Sequence, residues 1–214
     1  MGVLKMKAIL LVATGMMFVA GVDAAPSTQV AWTPATLDFV EKGDAGRGKA
    51  LSAPCAGCHD GTGTNPSLSG QLPTYLYRQL QDYKNGNRQD PTTIMNTMAS
   101  ALRDQDMADL AAWYGQQAPM RGAGGASDAT GIAGRGEGRR MEPPCSSCHG
   151  GAGQGEKVDT PRLAGQSAAY LEATLLAYKS GQRANDIYSR MRLIAAKLSD
   201  AEIRQLADYY SRLK

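Results

Sequence analysis

Cys55-Ala56-Gly57-Cys58-His59 and its second copy, Cys145-Ser146-Ser147-Cys148-His149, decide how this chain folds. Each stretch reads C-x-x-C-H, the spacing that attaches a c-type haem. Two thiols on one helical turn each form a thioether with a haem vinyl group, and the adjacent histidine is the proximal iron ligand. The chain contains four cysteines and two histidines, and the two motifs use all of them. The sequence therefore predicts two covalently bound haem c groups. The predicted attachment and proximal ligand residues are Cys55, Cys58 and His59 in the first motif and Cys145, Cys148 and His149 in the second.

Three other uses of these cysteines fit less well. A zinc site of four thiolates is a known arrangement, but it leaves the histidine after each pair unexplained, and Cys55 and Cys145 are 90 positions apart. A redox-active C-x-x-C belongs in a βαβ unit, which the helical patterns of this chain do not offer. A disulfide framework is typical of small secreted domains, and C-x-x-C pairs followed by histidine match it poorly.

The first 24 residues have the pattern of a secretory signal peptide. Lys5 and Lys7 form a positive n-region, Ala8 to Val22 is apolar or small throughout, and Val22-Asp23-Ala24 offers a cleavage site after Ala24. An uncleaved membrane anchor is the alternative, but these 15 residues fall short of the roughly 20 that span a bilayer. Since c-type haem attachment implies delivery outside the cytoplasm, we expect a periplasmic mature protein.

Chain length and charge limit the number of domains and the kinds of partner that we expect. A chain of 214 residues accommodates one or two domains, and the duplicated motif favours two. The formal net charge is +3 and no run of Lys or Arg exceeds Arg139-Arg140, so we expect no nucleic-acid partner. Residues 25–120 hold 7 Lys and Arg against 9 Asp and Glu, whereas residues 121–214 hold 14 against 10. Such a dipolar molecule can present opposite ends to different partners; a solvated surface without a docking role is the alternative.

The second half of the chain repeats the first. Pro66-Ser67-Leu68-Ser69-Gly70-Gln71 matches Pro161-Arg162-Leu163-Ala164-Gly165-Gln166, and Ala45-Gly46-Arg47-Gly48 matches Ala133-Gly134-Arg135-Gly136. Further matched pairs are Tyr75/Tyr170, Leu76/Leu171, Tyr83/Tyr178, Gly86/Gly181, Arg88/Arg183, Leu102/Leu198, Leu110/Leu206, Ala111/Ala207 and Tyr114/Tyr210. The chain is therefore expected to hold two tandem copies of one helical unit, each of a normal domain size.

The boundary between the copies follows from composition. Seven glycines between Arg121 and Gly138 indicate a flexible connector, and the later part of this stretch already belongs to the second repeat. We expect a signal peptide over 1–24, a first domain over 25–120, a glycine-rich linker over 121–130 and a second domain over 131–214.

Apolar spacing and capping residues predict the helices. A helix capped by Asp44 leads toward the first haem motif, and the next runs from Thr74 to Lys84. A short segment over 92–102 follows, and the last helix of the first half extends to Tyr114 with Asp104 as its N-cap. No stretch shows sustained period-two alternation, so we expect an all-α protein with essentially no sheet.

The sixth ligand of each iron is sought among the methionines, because no histidine remains outside the two motifs. Methionine thioether is a soft ligand that raises the potential of a c-type haem. In the second half Met191 is the single methionine after His149, so it is the predicted ligand. An iron left open or bound by another side chain is the alternative.

Four methionines compete in the first half, and the repeat decides among them. Met95 lies seven residues before Leu102, as Met191 lies seven before Leu198, so Met95 is the predicted ligand. Met98 aligns with Ile194 and is expected to be a packing residue. The other two candidates are Met107 and Met120.

Taken together, these motifs resemble the dihaem cytochrome c4 family. They are the two C-x-x-C-H motifs, a P-x-L-x-G-Q loop in each half and M-x-x-[IM]-A-x-x-L before each final helix, and they cover nearly all of the mature chain. The resemblance implies two tandem class I cytochrome c domains, each around one haem, close enough for electron exchange. It also implies that the carbonyls of Pro66 and Pro161 accept hydrogen bonds from the proximal imidazoles.

The family resemblance also implies a function. Its members are periplasmic electron carriers, so the expected role is one-electron transfer between respiratory-chain donors and terminal oxidases or reductases, with no catalytic residue in this chain. The implied partners are redox proteins such as a membrane cytochrome complex; peripheral membrane association, and a monomer or a homodimer, are left open. The alternative is a haem subunit of a sulfur-oxidising enzyme, such as a thiosulfate or sulfide dehydrogenase. That role needs an accessible or unusually ligated iron, or a dedicated partner subunit.

Overall fold

The computed structural model describes residues 32–59, 61, 63–156 and 158–214, so the predicted signal peptide lies outside the described residues. Within them the chain is helical, and the strand-like pairings are two isolated bridges, Glu137–Glu142 and Glu156–Thr160. The all-α prediction is therefore confirmed. In the described part of the chain, no helix has the length and hydropathy to cross a bilayer.

Two sets of helices follow one another along the chain. The first set is α1 (Pro34–Glu41), α2 (Ala45–Leu51), α3 (Ala53–Ala56), α4 (Pro73–Lys84), α5 (Ile94–Ser100) and α6 (Asp104–Gly115). The second set is α7 (Ile132–Arg135), α8 (Ser146–His149), α9 (Ala168–Ser180), α10 (Arg190–Ala195) and α11 (Asp200–Arg212), with 3₁₀ turns at Gly138–Arg140 and Ile187–Ser189. The four longest helices, α4, α6, α9 and α11, occupy matching positions in the two repeats.

Local sequence explains where the helices begin. The Asp44 side chain accepts hydrogen bonds from the backbone N–H groups of Gly46 and Arg47, which confirms it as the N-cap of α2. Pro73 begins α4, since proline lacks the N–H that the first helical turn leaves unpaired. Ser199 and Glu202 form a reciprocal capping box at the start of α11.

The predicted cap of α6 is wrong by one residue. Asp104 is the first helical residue, and Arg103 occupies the N-cap position. The carboxylate of Asp106 accepts the backbone N–H of Arg103 at 3.0 Å and thereby performs the capping. Asp104 instead accepts a hydrogen bond from the Gln81 side chain of α4 at 2.9 Å, so a tertiary contact replaces the expected local one.

Each half encloses its own apolar core. In the first half α4 and α6 supply most of the buried residues, and α9 and α11 do so in the second. Residues buried at matching positions of both repeats are Leu76/Leu171, Leu110/Leu206, Ala111/Ala207 and Tyr114/Tyr210. The two helical pairs therefore pack in the same way, as the repeat in the sequence requires.

Helix α2 crosses α6 so closely that a side chain at Gly48 is not tolerated. A Cβ atom there would collide with the backbone carbonyl of Asp109. Asp109 also holds the two helices together, because its carboxylate accepts hydrogen bonds from the Asp44 N–H and the Arg47 guanidinium, each at 2.8 Å. This contact fixes the direction in which α2 leads into the first haem motif.

The glycine-rich connector carries no helix, and it runs along the C-terminal end of α11. Gly122 donates its backbone N–H to the Leu213 carbonyl at 2.8 Å, and Gly124 donates to the Arg212 carbonyl at 3.0 Å. A side chain at Gly122 would collide with the backbone of Ser211 and Arg212. The connector is thus hydrogen-bonded to the second half over its first residues.

Candidate functional site

Both C-x-x-C-H motifs place their histidine against a loop of the same half. His59 Nδ1 donates to the Pro66 carbonyl at 2.8 Å, and His149 Nδ1 donates to the Pro161 carbonyl at 2.9 Å. A carbonyl oxygen can only accept, so each Nδ1 carries the proton and each Nε2 keeps a free lone pair. The contact implied by the family resemblance is therefore present in both halves, and it leaves each imidazole ready to bind iron.

Burial keeps these rings neutral. It lowers the pKa of His59 and of His149 below the ordinary value, although the hydrogen bond to proline opposes this effect. A neutral imidazole is the form that binds a metal ion. His149 is the more enclosed of the two rings, with 7% of its surface exposed.

The four cysteines are placed beside the two histidines, as covalent haem attachment requires. Cys55 and Cys145 are half-buried, Cys58 and Cys148 are exposed, and none forms a disulfide. No group of three or more His, Cys, Asp or Glu side chains that could hold a metal ion occurs in the part of the chain that the structure describes. The arrangement thus gives no support to the disulfide and zinc alternatives.

One cavity of about 1510 Å³ lies between the two halves and inside each of them. Its walls include all four cysteines, both histidines, and Pro66 and Pro161. Ordinary small-molecule pockets measure roughly 300–1,000 Å³, so this cavity has room for more than one large planar group. The donor set and the volume together fit two haem groups, one for each C-x-x-C-H motif.

The cavity also separates the candidate methionines. Met95, Met98 and Met191 line it, whereas Met107 is fully buried in the first core and Met120 lies in the connection between the halves. Met98 is 38% exposed and lines the cavity as Met95 does. The cavity therefore does not distinguish the two methionines, and the alignment of the two repeats remains the reason to prefer Met95. Ligation of the irons by Met95 and Met191 stays a prediction.

Two arginines, the buried Arg183 and the half-buried Arg88, face the cavity where the halves meet. Arg183 donates to the Tyr75 hydroxyl at 3.1 Å and to Gln79 at 3.0 Å, and Arg88 donates to Gln79 at 2.8 Å and to the Tyr170 hydroxyl at 3.4 Å. Among the described residues, neither guanidinium forms an ion pair with a carboxylate. Buried charges need a counter-charge, and the propionates of the haem groups have the chemistry to supply it.

The positive charge of this pair acts on the tyrosine beside it. Burial alone would raise the pKa of Tyr170, but the charges of Arg88 and Arg183 outweigh that effect and lower it to about 7. Two positive charges therefore act together on this part of the cavity wall. This electrostatic character is a second reason to expect acidic groups of the cofactor here.

Sequence reasoning matched Arg88 with Arg183 and Tyr75 with Tyr170 but assigned them no role. The signal was available, because identical polar residues at matching positions of two repeats have no explanation in core packing. What the sequence did not contain is the arrangement of the halves, which brings each arginine to the tyrosine of the other half.

Comparisons with known proteins agree with this site. The sequence profile of the Cytochrome c family matches residues 45–116 and 138–214. The chain is 38% identical over 180 residues to cytochrome c4 of Thiocapsa roseopersicina, which covers 79% of this chain and 91% of that protein. It is 39% identical over 171 residues to a thiosulfate dehydrogenase electron acceptor of Stutzerimonas stutzeri strain A1501, covering 74% of this chain and 78% of that protein.

Two solved structures have a similar architecture. Reduced recombinant cytochrome c4 from Pseudomonas stutzeri superposes with a TM-score of 0.75 and 34% identity, over 80% of this chain and all of that one. The thiosulfate dehydrogenase TsdBA from Marichromatium purpuratum gives a TM-score of 0.70 and 33% identity, over 78% of this chain and 40% of that one. Both similarities extend across the two helical halves.

Proposed function

The chain belongs to the dihaem cytochrome c4 family, and on that premise we propose that it is a periplasmic electron carrier between respiratory-chain donors and terminal oxidases or reductases. It is a c-type cytochrome made of two class I domains, and it binds two haem c groups. Periplasmic location rests on the signal-peptide pattern of residues 1–24 and on the chemistry of haem attachment.

The continuous cavity is the observation that carries this proposal. Both C-x-x-C-H motifs line the same space, and the residues between them are hydrogen-bonded across the two halves. Two irons held in one such space can exchange electrons without a diffusing intermediate. A protein of this kind accepts an electron at one end and releases it at the other.

Haem supplies reversible one-electron chemistry, and the side chains of this protein set its conditions. His59, His149, Met95 and Met191 all line the cavity and are the residues that would ligate the two irons. Irons held by a histidine and a methionine in this way would have no open site for a substrate and would be limited to electron transfer. The charges of Arg88 and Arg183, which line the same cavity, would favour the acidic edges of bound haem groups there.

A second candidate function is electron acceptance from a sulfur-oxidising enzyme. The 39% identity to a thiosulfate dehydrogenase electron acceptor favours it, as does the similarity to part of the TsdBA structure. In this version the chain is a dedicated partner or subunit and not the catalyst. The two functions differ in the donor, since both use the same closed haem sites.

An anaerobic redox titration of the purified holoprotein tests the proposal. We expect two haems per chain, each with the weak sulfur-to-ferric-iron band, and no binding of carbon monoxide at the reduced end. A haem that lacks the band or binds carbon monoxide would have an open iron and would contradict the carrier function for that domain. Mixing the oxidised protein with a thiosulfate dehydrogenase and thiosulfate then distinguishes the second candidate, which requires rapid haem reduction.

A further inference from the structure

The glutamine of each P-x-L-x-G-Q loop forms hydrogen bonds with the backbone of the same loop in the opposite half. Gln166 accepts the Ser67 backbone N–H at 2.9 Å and donates to the Ser67 carbonyl at 3.0 Å. Gln71 accepts the Arg162 backbone N–H at 2.8 Å and donates to the Arg162 carbonyl at 3.1 Å. Ser67 and Arg162 occupy matching positions of the two repeats, so the exchange is reciprocal.

Each glutamine is held in place from several sides. Gln71 and Gln166 are both only 7% exposed. Their Oε1 atoms also accept the backbone N–H of the following residue, Leu72 or Ser167, each at 3.0 Å. The glycine before each glutamine has a positive φ, +67° at Gly70 and +74° at Gly165, a conformation that glycine adopts without strain.

The atoms that the glutamines touch belong to the peptide groups that orient the proximal histidines. The Pro66 carbonyl accepts His59 Nδ1–H, and the Ser67 N–H on the other end of that same peptide group donates to Gln166. In the second half the Pro161 carbonyl accepts His149 Nδ1–H, and the Arg162 N–H of that peptide group donates to Gln71. Each histidine is thus linked to a glutamine of the other half through one peptide group.

Hydrogen bonds that share a peptide group polarise one another. Donation from the Ser67 N–H to Gln166 makes the Pro66 oxygen more negative and therefore a better acceptor for His59. A stronger bond at Nδ1 raises the basicity of the ring and stabilises ferric iron. We propose that Gln71 and Gln166 are positioning residues that act across the domain boundary, each lowering the reduction potential of the haem in the opposite half.

This proposal deepens the carrier function but does not depend on it, because its test uses no redox partner. The variants are Gln166→Met and Gln71→Met, which keep the length of the side chain and remove both hydrogen bonds to the opposite half, together with the local bond from the following backbone N–H. The control is Ser167→Ala. It removes the Ser167 hydroxyl bond to the Gly63 carbonyl of the first half, next to Gln166, and the cap that the same hydroxyl provides to the Tyr170 N–H of α9. It leaves the two peptide groups whose carbonyls accept from the histidines untouched.

The primary measurement is the reduction potential of each haem in the holoprotein, assigned from the haem methyl resonances of partly reduced samples. Gln166→Met should increase the ferrous/ferric ratio of the first haem about threefold at a fixed solution potential. This corresponds to a rise of about 30 mV in the reduction potential of that haem for one electron, and the potential of the second haem should stay nearly unchanged. Gln71→Met should do the reverse. The Ser167→Ala control should only loosen the contact between the halves. Water that enters as a result would stabilise the ferric form, so both haem potentials of the control should fall or stay constant.

A second readout comes from the histidines themselves. The chain has only two, so labelling with ¹⁵N-histidine gives one Nδ1–H resonance per haem in the diamagnetic ferrous protein. The resonance in the half opposite to each substitution should shift upfield as its hydrogen bond weakens. Potentials that fall together in both haems, that change only in the substituted half, or that do not change would overturn the proposal and leave the carrier function intact.

Discussion

The guanidinium of Arg183 in the second half lies 3.1 Å from the hydroxyl of Tyr75 in the first half. The matching pair, Arg88 and Tyr170, forms the same contact in the opposite direction at 3.4 Å. Each arginine therefore connects the two halves, and both bring positive charge to the wall of the cavity in which acidic groups of the haems would be stabilised. Interdomain structure and haem electrostatics depend on the same side chains.

Arg183→Met should weaken both of these properties. The oxygen atoms of Tyr75, Gln79 and Asn185 each lose the donor that Arg183 supplies, so we expect the free energy of unfolding to fall by about 2 kcal/mol. Loss of a buried positive charge also favours ferric iron and should lower a haem potential. Arg204→Met removes the same charge from an exposed position of α11 and is the matched control. Equal behaviour of the two variants in unfolding and redox titrations would contradict this prediction.

Met95→Leu and Met191→Leu should each remove the sixth ligand of one haem iron. A leucine side chain offers no sulfur, so each variant should lose the charge-transfer band of one haem and gain carbon monoxide binding at that haem. Absorption spectroscopy of the ferric and of the carbon monoxide-treated ferrous protein measures both effects. Met98→Leu is the control, because Met98 lines the same cavity; if it alone removes the band in the first half, the ligand has been assigned to the wrong methionine.

Gly48→Ala should destabilise the first half. Its methyl group would meet the Asp109 carbonyl at the crossing of α2 and α6, and overpacking of this kind costs about 2 kcal/mol. Gly57→Ala is the control, since nothing lies within 4 Å of a Cβ at that position and its φ is −65°. Denaturant unfolding of the two holoproteins compares them, and a neutral Gly48→Ala would mean that the helices can separate freely.

Glu202→Gln should flatten the acid dependence of stability. The Arg140 hydrogen bond is the main cause that lowers the pKa of Glu202 from 4.5 to about 2, and the Ser199 cap adds to it. A group with a depressed pKa stabilises the fold above its unfolded pKa and loses that contribution as pH falls toward its folded pKa. The variant should be less stable by about 1 kcal/mol near neutral pH, and the difference should disappear between pH 4.5 and 2. Parallel stability curves for the two proteins would contradict this.

Electron transfer to the physiological acceptor should slow as ionic strength rises. Residues 121–214 carry four more basic than acidic side chains, whereas residues 25–120 carry two fewer. Steering by such a charge distribution is screened over about 8 Å at physiological salt and about 3 Å at 1 M. Stopped-flow rates across a salt series measure the effect, with a neutral small-molecule reductant as the control. A flat dependence would remove the steering role.

The sequence was sufficient to predict two covalently bound haem c groups. This was possible because cysteine and histidine are scarce in the chain, and the pattern of Cys145, Cys148 and His149 has few other uses. The repeat then aligned Met95 with Met191. The sequence did not contain what depends on the relative orientation of the halves. Gln71 and Gln166 are visible as repeated residues, yet nothing local indicates that each reaches into the other domain. Asp104 shows the same limit on a smaller scale, since its contact with Gln81 comes from the packing of α4 on α6.

The crossed glutamines have the form of an isologous contact, in which residue i of one copy meets residue j of the other and j meets i. An interface of that form needs a single kind of subunit, because both sides of it are encoded by the same loop. Two separate one-haem proteins carrying this loop would meet the geometric requirement as a two-fold dimer. Joining them in one chain replaces a concentration-dependent association by an intramolecular one and frees each copy to diverge, as Ser67 and Arg162 have done.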